Sequence, residues 1–278
     1  MVRNLTRASL IAVLKPVAEN EIFANELFAK LDMPIPAFEV MDKNCFNDAI
    51  NAEVRKNAPP STLRSNKIMV MAHVSGRAMS EYGAAELTDF LLIDRNLELL
   101  GKSMALDAFA GNADRIVPFM ANTVNPDNIM FQDKTVIFID QAFRDRKGQN
   151  QRIFSRLADA VNTDGSVPGI DARPYRKYIL PLVQRSLQKY KAELERTTRE
   201  DLITVNSFET FKSSIDSKLE DKINERVTAG ICSAIALLLY KKNDVLELSS
   251  SDENRQTCIT NTYAGLEELS ARFRGDQS

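Results

Sequence analysis

The sequence predicts an α+β fold in which a small β-α part, up to about residue 75, precedes a larger and mostly helical part. Before residue 75, dense apolar runs of strand length flank one helical pattern, whereas helix-forming residues dominate from about residue 150 onward. Two further strand-like runs stand between the first helix of the second part and its helical remainder. The expected division is therefore into residues 1–75 and 76–278.

The first part contains two predicted strands and one predicted helix. Residues 9–15 form an apolar run that ends in Lys15 and is stopped by Pro16, which is typical of a buried strand. Residues 19–31 carry apolar residues at helical spacing after acidic first turns, as the start of a helix prefers. Residues 67–74 form another apolar run and predict the second strand.

The second part begins with a predicted helix over residues 85–110. Asp107, one turn before Gly111 on this helix, either braces the following loop through hydrogen bonds or, as we expect, faces solvent. Residues 128–131 and 135–139 then predict a β-hairpin with its turn at 132–134. Further helices are predicted over residues 175–195, 208–226, 226–242 and 262–273.

The composition excludes several classes of function. The 278 residues include 36 Lys and Arg against 38 Asp and Glu, so the net charge of −2 lacks the basic excess that favours nucleic-acid binding. One histidine and three widely spaced cysteines argue against structural zinc and a disulfide scaffold, and indicate a reducing, cytoplasmic environment. The longest apolar stretch, residues 229–240, is shorter than the roughly 20 residues of a membrane span.

Three polar residues around the predicted hairpin are candidates for chemistry. Asp114 lies in the polar loop before the hairpin, Asn128 begins its first strand, and Asp140 follows its second strand. Carboxylate and amide oxygens suit a hard cation such as Mg²⁺, which serves phosphoryl transfer. Asp and Asn also occupy turns by bonding their own backbone, so the pattern alone leaves a purely structural role open.

These residues also carry a resemblance to atypical kinases. The segments are Gly-Asn-Ala-Asp114-Arg115, then Asn128-Ile-Met, then Val-Ile-Phe-Ile-Asp140. Together they resemble the catalytic centre of the phosphatidylinositol 3/4-kinase-like clan and the HipA-like kinases, including small bacterial effector kinases. The resemblance implies a two-lobed protein-kinase-like fold, with Asp114 as catalytic base or orienting carboxylate and with Asn128 and Asp140 as ligands of Mg²⁺ or Mn²⁺. Arg115 either binds phosphate or pairs with a nearby carboxylate.

The first part resembles the same clan in its order of a strand lysine, a helix glutamate and a proline-containing loop. These features are Val-Leu-Lys15-Pro, Asn-Glu26 and the Met-Pro-Ile-Pro run at residues 33–36. The resemblance implies that Lys15 contacts the ATP phosphates and pairs with Glu26, with Glu21 as the reserve partner. Met71-Ala72-His73 would form the hinge whose backbone meets adenine.

The function expected from the resemblance is ATP- and Mg²⁺-dependent transfer of a γ-phosphoryl group to a hydroxyl. Protein Ser/Thr is the first substrate class, and a phosphoinositide or inositol phosphate is the second. The likeness to effector kinases adds delivery into a host cell to the expected locations. Transfer of AMP, ATP-dependent ligation and a non-catalytic pseudokinase module stay open, because a fold does not fix a function.

Three features depart from the family pattern. None of the 14 residues before Lys15 is glycine, so these residues contain no glycine-rich phosphate loop, which favours the pseudokinase alternative. A trimmed chain, a minimal small lobe and another segment that covers the phosphates stay open as explanations. Asp114 and Asn128 are 14 positions apart, a longer spacing than in protein kinases, which leaves Asn122 and Asn125 as alternative metal ligands. Gln-Ala follows Asp140 where protein kinases have Phe-Gly.

Overall fold

The computed structural model describes residues 12–42, 44, 66–82, 86, 90, 93–112, 114–115, 125–145 and 226–275. These residues form an α+β fold with two small antiparallel sheets and five α-helices, which confirms the predicted α+β class. The two-lobed, kinase-like arrangement stays a prediction. The helices predicted over 175–195 and over most of 208–226 lie outside the described residues.

The first sheet is built from β1 (Ala12–Pro16), β2 (Phe38–Asp42) and β3 (Lys67–Ala72), in the order β1-β3-β2. Both neighbouring pairs are antiparallel, and Lys15 on β1 stands opposite Met69 on β3. The strands near residues 9–15 and 67–74 are thus confirmed with shifted ends. The strand β2 was not predicted, although its alternating Phe38 and Val40 are the side chains that pack beneath the sheet.

The second sheet contains β4 (Arg77–Ala78), β5 (Ile129–Gln132) and β6 (Thr135–Phe138), with β5 in the centre. The predicted hairpin is confirmed, and its two turn residues, Asp133 and Lys134, have φ angles of 49° and 64°. Positive φ at both positions defines the type I′ turn, which matches the twist of the flanking strands.

The first two helices are α1 (Glu19–Lys30) and α2 (Asp94–Ala110). The helix α1 agrees with the prediction for residues 19–31, while α2 covers residues 94–110 of the predicted 85–110 segment. It ends at Gly111, whose φ of 68° is a left-handed conformation that glycine adopts without strain.

Three helices close the described chain: α3 (Thr228–Tyr240), α4 (Lys242–Ser249) and α5 (Glu253–Gly275). The predicted 226–242 helix is therefore followed directly by a separate short helix, and the last helix begins well before residue 262. No helix in the described ranges is long and apolar enough to cross a membrane.

The helix α1 packs into both hydrophobic clusters of the structure. Phe23, Leu27 and Phe28 belong to the main core, which also includes side chains from α2, the second sheet and the three C-terminal helices. Ile22 joins Val17 and Met69 in a small cluster beneath the first sheet. The helix therefore joins the first sheet to the main core, and the division at residue 75 stays a prediction.

Candidate functional site

A pocket of about 400 Å³ opens between the end of β1, the segment that leaves β3 and the end of the β5–β6 hairpin. Its walls are mainly apolar, with contributions from Val13, Leu14, Met71, Val74, Met130 and Ile139. Four of the candidate residues lie on these walls: Lys15, Met71, His73 and Asp140. Residues of β1 and of the chain after β6, which are far apart in the sequence, thus share one cavity.

Lys15 makes two ion pairs at the edge of this pocket. Its Nζ lies 2.8 Å from Asp140 Oδ1 and 3.0 Å from Glu21 Oε1. The predicted pairing of Lys15 with Glu26 is therefore wrong, and Glu21, the reserve partner, takes that place. Glu26 is exposed, and its five-residue offset turns it by about 140° around α1 from Glu21.

Glu21 also stabilises the start of α1. Its Oε2 accepts a hydrogen bond of 3.3 Å from the backbone N–H of Ala18, ahead of the first helical turn. A carboxylate in this position satisfies a helix N–H that has no intrahelical acceptor. One glutamate therefore orients both the helix start and the Lys15 ammonium group.

The two ion pairs keep Lys15 protonated at neutral pH. Partial burial lowers the pKa of Lys15, but the hydrogen bonds and charges of Asp140 and Glu21 outweigh it and raise the pKa above its ordinary value. A fixed positive charge beside an apolar pocket can bind the phosphates of a nucleotide.

Asp140 has a strained backbone at the point where the chain leaves β6. Its φ of 54° lies in the left-handed region, which costs a non-glycine residue roughly 1–2 kcal/mol. Its side chain is 50% exposed and reaches Lys15 across 125 positions of sequence. Strain of this kind is found at ligand-binding positions, where the surrounding structure holds an unfavourable conformation.

Asp114 and Asn128 lie in direct contact beside the open end of the hairpin. The Asn128 Nδ2 group donates to the Asp114 carbonyl at 2.8 Å and to its carboxylate Oδ2 at 3.4 Å. The Ile139 N–H donates to the Asn128 carbonyl, so Asn128 stands opposite the residue that precedes Asp140. The three candidate residues of the metal and catalytic centre therefore gather at one end of one hairpin.

The side chain of Arg115 does not lie with Asp114 and Asn128 at the open end of the hairpin. Its side chain is fully buried, and its Nε lies 3.0 Å from Oδ2 of the equally buried Asp107. The guanidinium lies 5.2 Å from the ring centres of both Phe28 and Phe138. Of the two roles expected for Arg115, the structure shows the carboxylate pairing, and the catalytic assignment is not supported. The expectation that Asp107 faces solvent is wrong.

Asp107 anchors the loop that carries Asp114. Asn112 donates from Nδ2 to Asp107 Oδ1 at 2.9 Å, and Asn112 Oδ1 accepts from the Asp114 N–H at 3.2 Å. Burial raises the pKa of Asp107 to about 6, although Arg115 and Asn112 act in the opposite direction. Periodicity could not predict this network, because Asp107 lies in an apolar helix end whose residues are buried on all sides.

Asn128 and Asp140 provide the types of oxygen donor that could hold a magnesium ion together with phosphate and water. Because Asn128 uses its Nδ2 to hold Asp114, its Oδ1 points away from that contact, and Asp140 offers its second oxygen. Mg²⁺ commonly binds one or two protein groups together with substrate phosphates. No group of three or more His, Cys, Asp or Glu that could hold a metal occurs within the described ranges.

Of the two alternative metal ligands, Asn122 and Asn125, the structure describes only Asn125. Asn125 Oδ1 accepts a hydrogen bond of 3.2 Å from the Asp127 N–H, so its side chain serves the local turn. Asn122 lies outside the described residues.

Comparison with known proteins assigns no family to the chain. No protein-family model matches it, and no curated protein sequence matches it.

Proposed function

We propose that the protein is an ATP- and Mg²⁺-dependent phosphotransferase with a two-lobed, kinase-like arrangement, which transfers a γ-phosphoryl group to a hydroxyl. The observation that carries the proposal is the 2.8 Å contact of Lys15 with Asp140 at the wall of an apolar pocket. Two charged groups 125 positions apart meet where the resemblance requires a phosphate-binding lysine and a metal-binding aspartate.

The apolar part of the pocket suits the adenine ring. Met71 and His73 lie on the wall where the chain leaves β3, and Met130 and Ile139 contribute from the hairpin. Apolar side chains with a few polar groups at one side are typical of cofactor pockets. Adenine on this wall would leave its phosphates directed towards Lys15.

Asn128 and Asp140 would hold the magnesium ion next to the phosphates. The ion would supply neutralisation of phosphate charge, which is the main requirement of phosphoryl transfer. For Asp140 to act in this way, its carboxylate must exchange part of its contact with Lys15, since Lys15 would then bind phosphate. Glu21, whose Oε1 lies 3.0 Å from Lys15 Nζ, would still hold Lys15 during such an exchange.

Asp114 would orient the acceptor hydroxyl and take its proton. Its side chain is exposed, while its carbonyl and its N–H are fixed by Asn128 and Asn112. An exposed carboxylate on a rigid backbone can contact an incoming substrate, and phosphoryl transfer gains more from such positioning than from strong basicity. Protein Ser/Thr is the proposed acceptor, with an inositol-type hydroxyl as the other candidate, in the cytoplasm or in a host cell reached as an effector.

A non-catalytic pseudokinase is the second candidate. Within the described residues, β1 is an edge strand whose only partner is β3, so no described strand covers the phosphate side of the pocket. In that case the pocket would bind nucleotide without transferring phosphate.

The test combines labelled ATP with two substitutions that preserve side-chain size. Asp114→Asn should fold normally and bind Mg-ATP, but lose phosphoryl transfer by about 10²–10⁴-fold. Asp140→Asn, chosen because Asn tolerates positive φ, should lose the Mg²⁺-dependent part of the thermal stabilisation by ATP. Asp133→Asn is the matched control, since Asp133 also has positive φ but lies at the far end of β6.

Label transferred from γ-labelled ATP alone supports the kinase, and label from α-labelled ATP identifies nucleotidyl transfer instead. Binding of Mg-ATP without any transfer supports the pseudokinase. Mg²⁺-dependent stabilisation that is equal in wild type and Asp140→Asn contradicts the metal assignment.

A further inference from the structure

The C-terminal helices hold both ends of α1, the helix that carries Glu21. At the N-terminal end, Arg255 Nη1 donates to the Glu19 carbonyl and to Asn20 Oδ1, both at 3.3 Å. At the other end, Lys241 Nζ donates to the Lys30 carbonyl. The kinase-like motifs end near residue 145, so these contacts come from a part of the chain to which the motifs assign no role.

Arg255 is a buried cation with a fixed direction. It is 3% exposed, and its Nη2 donates at 2.7 Å to Ser251 Oγ one turn earlier. Its guanidinium carbon lies 4.7 Å from the centre of the Phe23 ring on α1. A planar guanidinium held on one side can orient the group that it contacts on the other side.

The same contacts extend to the segment that carries Asp140. Phe23 packs edge-on against Phe143, with ring centres 5.1 Å apart. Phe143 is 3% exposed and lies three positions after Asp140. The first turn of α1 and the chain after β6 each supply a carboxylate to Lys15. Both are connected to Arg255, because Phe143 packs against Phe23 and Phe23 packs against Arg255.

We propose that Arg255 is a positioning residue that sets where Glu21 and Asp140 hold Lys15, so that the C-terminal helices control affinity for nucleotide phosphates. This inference rests on the proposed function, because it needs ATP to bind in the pocket beside Lys15. Lys241 contacts α1 at the opposite end from Glu21, so it stabilises the helix without affecting the position of Lys15. Arg255 and Lys241 therefore differ in their expected effect on the ligand, although both stabilise α1.

The experiment compares the binding of Mg-ATP and of adenosine by isothermal calorimetry, well below the melting temperature. In Arg255→Met the affinity for Mg-ATP should fall about tenfold, while the affinity for adenosine changes less than about twofold. Adenosine lacks the phosphates that Lys15 contacts, so a loss confined to ATP identifies a displaced lysine. Arg255→Lys, which keeps the charge, should recover at least part of the ATP affinity.

Lys241→Met is the matched control and should lower the melting temperature without changing the ratio of ATP to adenosine affinity. An Arg255→Met protein with an unchanged ratio overturns the inference. If Arg255→Met does not fold, Asn20→Ala decides, because this exposed residue provides one of the acceptors of Arg255. An unchanged ratio in Asn20→Ala likewise overturns it.

The outcome for the wild type separates this inference from the proposed function. Wild-type protein that binds neither ATP nor adenosine contradicts both. Wild-type protein that prefers ATP, together with variants that keep the same preference, contradicts only the role of Arg255.

Discussion

Asp107 places a carboxyl group in the interior of the protein near the C-terminal end of α2. An acidic residue near a helix end is usually solvated, yet Asp107 is fully buried and pairs with a fully buried arginine. A buried charge pair contributes little net stability but becomes costly when one partner is removed. Since Asn112 connects this pair to Asp114, the burial of Asp107 helps to fix the loop of the candidate site.

The raised pKa of Asp107 predicts how the free energy of unfolding changes with pH. The pKa is about 6 in the folded protein and about 3.9 in an unfolded chain. Protonated Asp107 therefore contributes stability that is fully present below about pH 4 and is lost as the pH rises through about 6. The free energy of unfolding of the wild type, minus that of Asp107→Asn, should be larger at pH 4.5 than at pH 7.5 by on the order of 2 kcal/mol. Urea titrations at the two pH values measure it, and a difference that is constant or larger at pH 7.5 would show that Arg115 outweighs burial.

At the scale of elements, two glycines allow α2 and α3 to pack with their backbones in contact. A Cβ at Gly101 would lie 2.1 Å from the Val227 carbonyl oxygen, and a Cβ at Gly230 would lie 2.0 Å from that of Glu98. Each helix thus contributes a glycine that faces the backbone of the other. The position of α2 fixes Gly111 and the loop that follows it, so this packing also supports the candidate site.

Gly101→Ala should therefore destabilise the protein, although alanine is the better helix former. Ordinary helix propensity would favour alanine by about 1 kcal/mol, whereas a backbone clash of this kind costs roughly 1–3 kcal/mol or more. Chemical denaturation of Gly101→Ala measures the net loss. Ala264→Gly at an exposed position of α5 provides the reference, because it reports propensity without a helix contact. Stabilisation of Gly101→Ala would contradict the close approach of the two helices.

At the scale of the whole molecule, contacts distant in sequence assemble the pocket. Lys15 reaches Asp140 across 125 positions, and Arg255 reaches Glu19 across 236 positions. The first sheet and the hairpin therefore line one cavity, and α5 contacts the start of α1, the helix that supplies Glu21 to Lys15. Contacts of such high sequence separation have to form together, because no single segment of the chain holds the site.

Binding of Mg-ATP should be visible as a spatial pattern of amide hydrogen exchange. We expect exchange to slow by about tenfold or more at saturating ligand in β1, in the segment after β3 and at the end of β6. Amides of α3, which contributes no residue to the pocket, serve as the internal reference. Protection confined to one sheet, or equal protection of α3, would contradict a nucleotide site shared by the two sheets.

Local pattern was sufficient for the elements whose signals lie within a few residues. The apolar runs of β1 and β3, the acidic start of α1 and the two-strand pattern of the hairpin each predicted an element that the structure confirms. The direct contact of Lys15 with Asp140 was not predicted, because the resemblance paired Lys15 with a glutamate of α1. The short strand β2 was not predicted, because five residues after a proline-containing segment are too few to show a clear strand periodicity.

The choice between neighbouring side chains was decided only by tertiary structure. Both Glu21 and Glu26 were candidate ion-pair partners of Lys15 from the sequence. The orientation of α1 relative to the first sheet brings Glu21 into contact with Lys15. For Arg115, the sequence left open whether it binds a phosphate or pairs with a carboxylate. The packing of α2 against the loop places Arg115 beside the buried carboxylate of Asp107. Periodicity records which face of an element is apolar, whereas the partner of a charge depends on how separate elements are rotated and packed together.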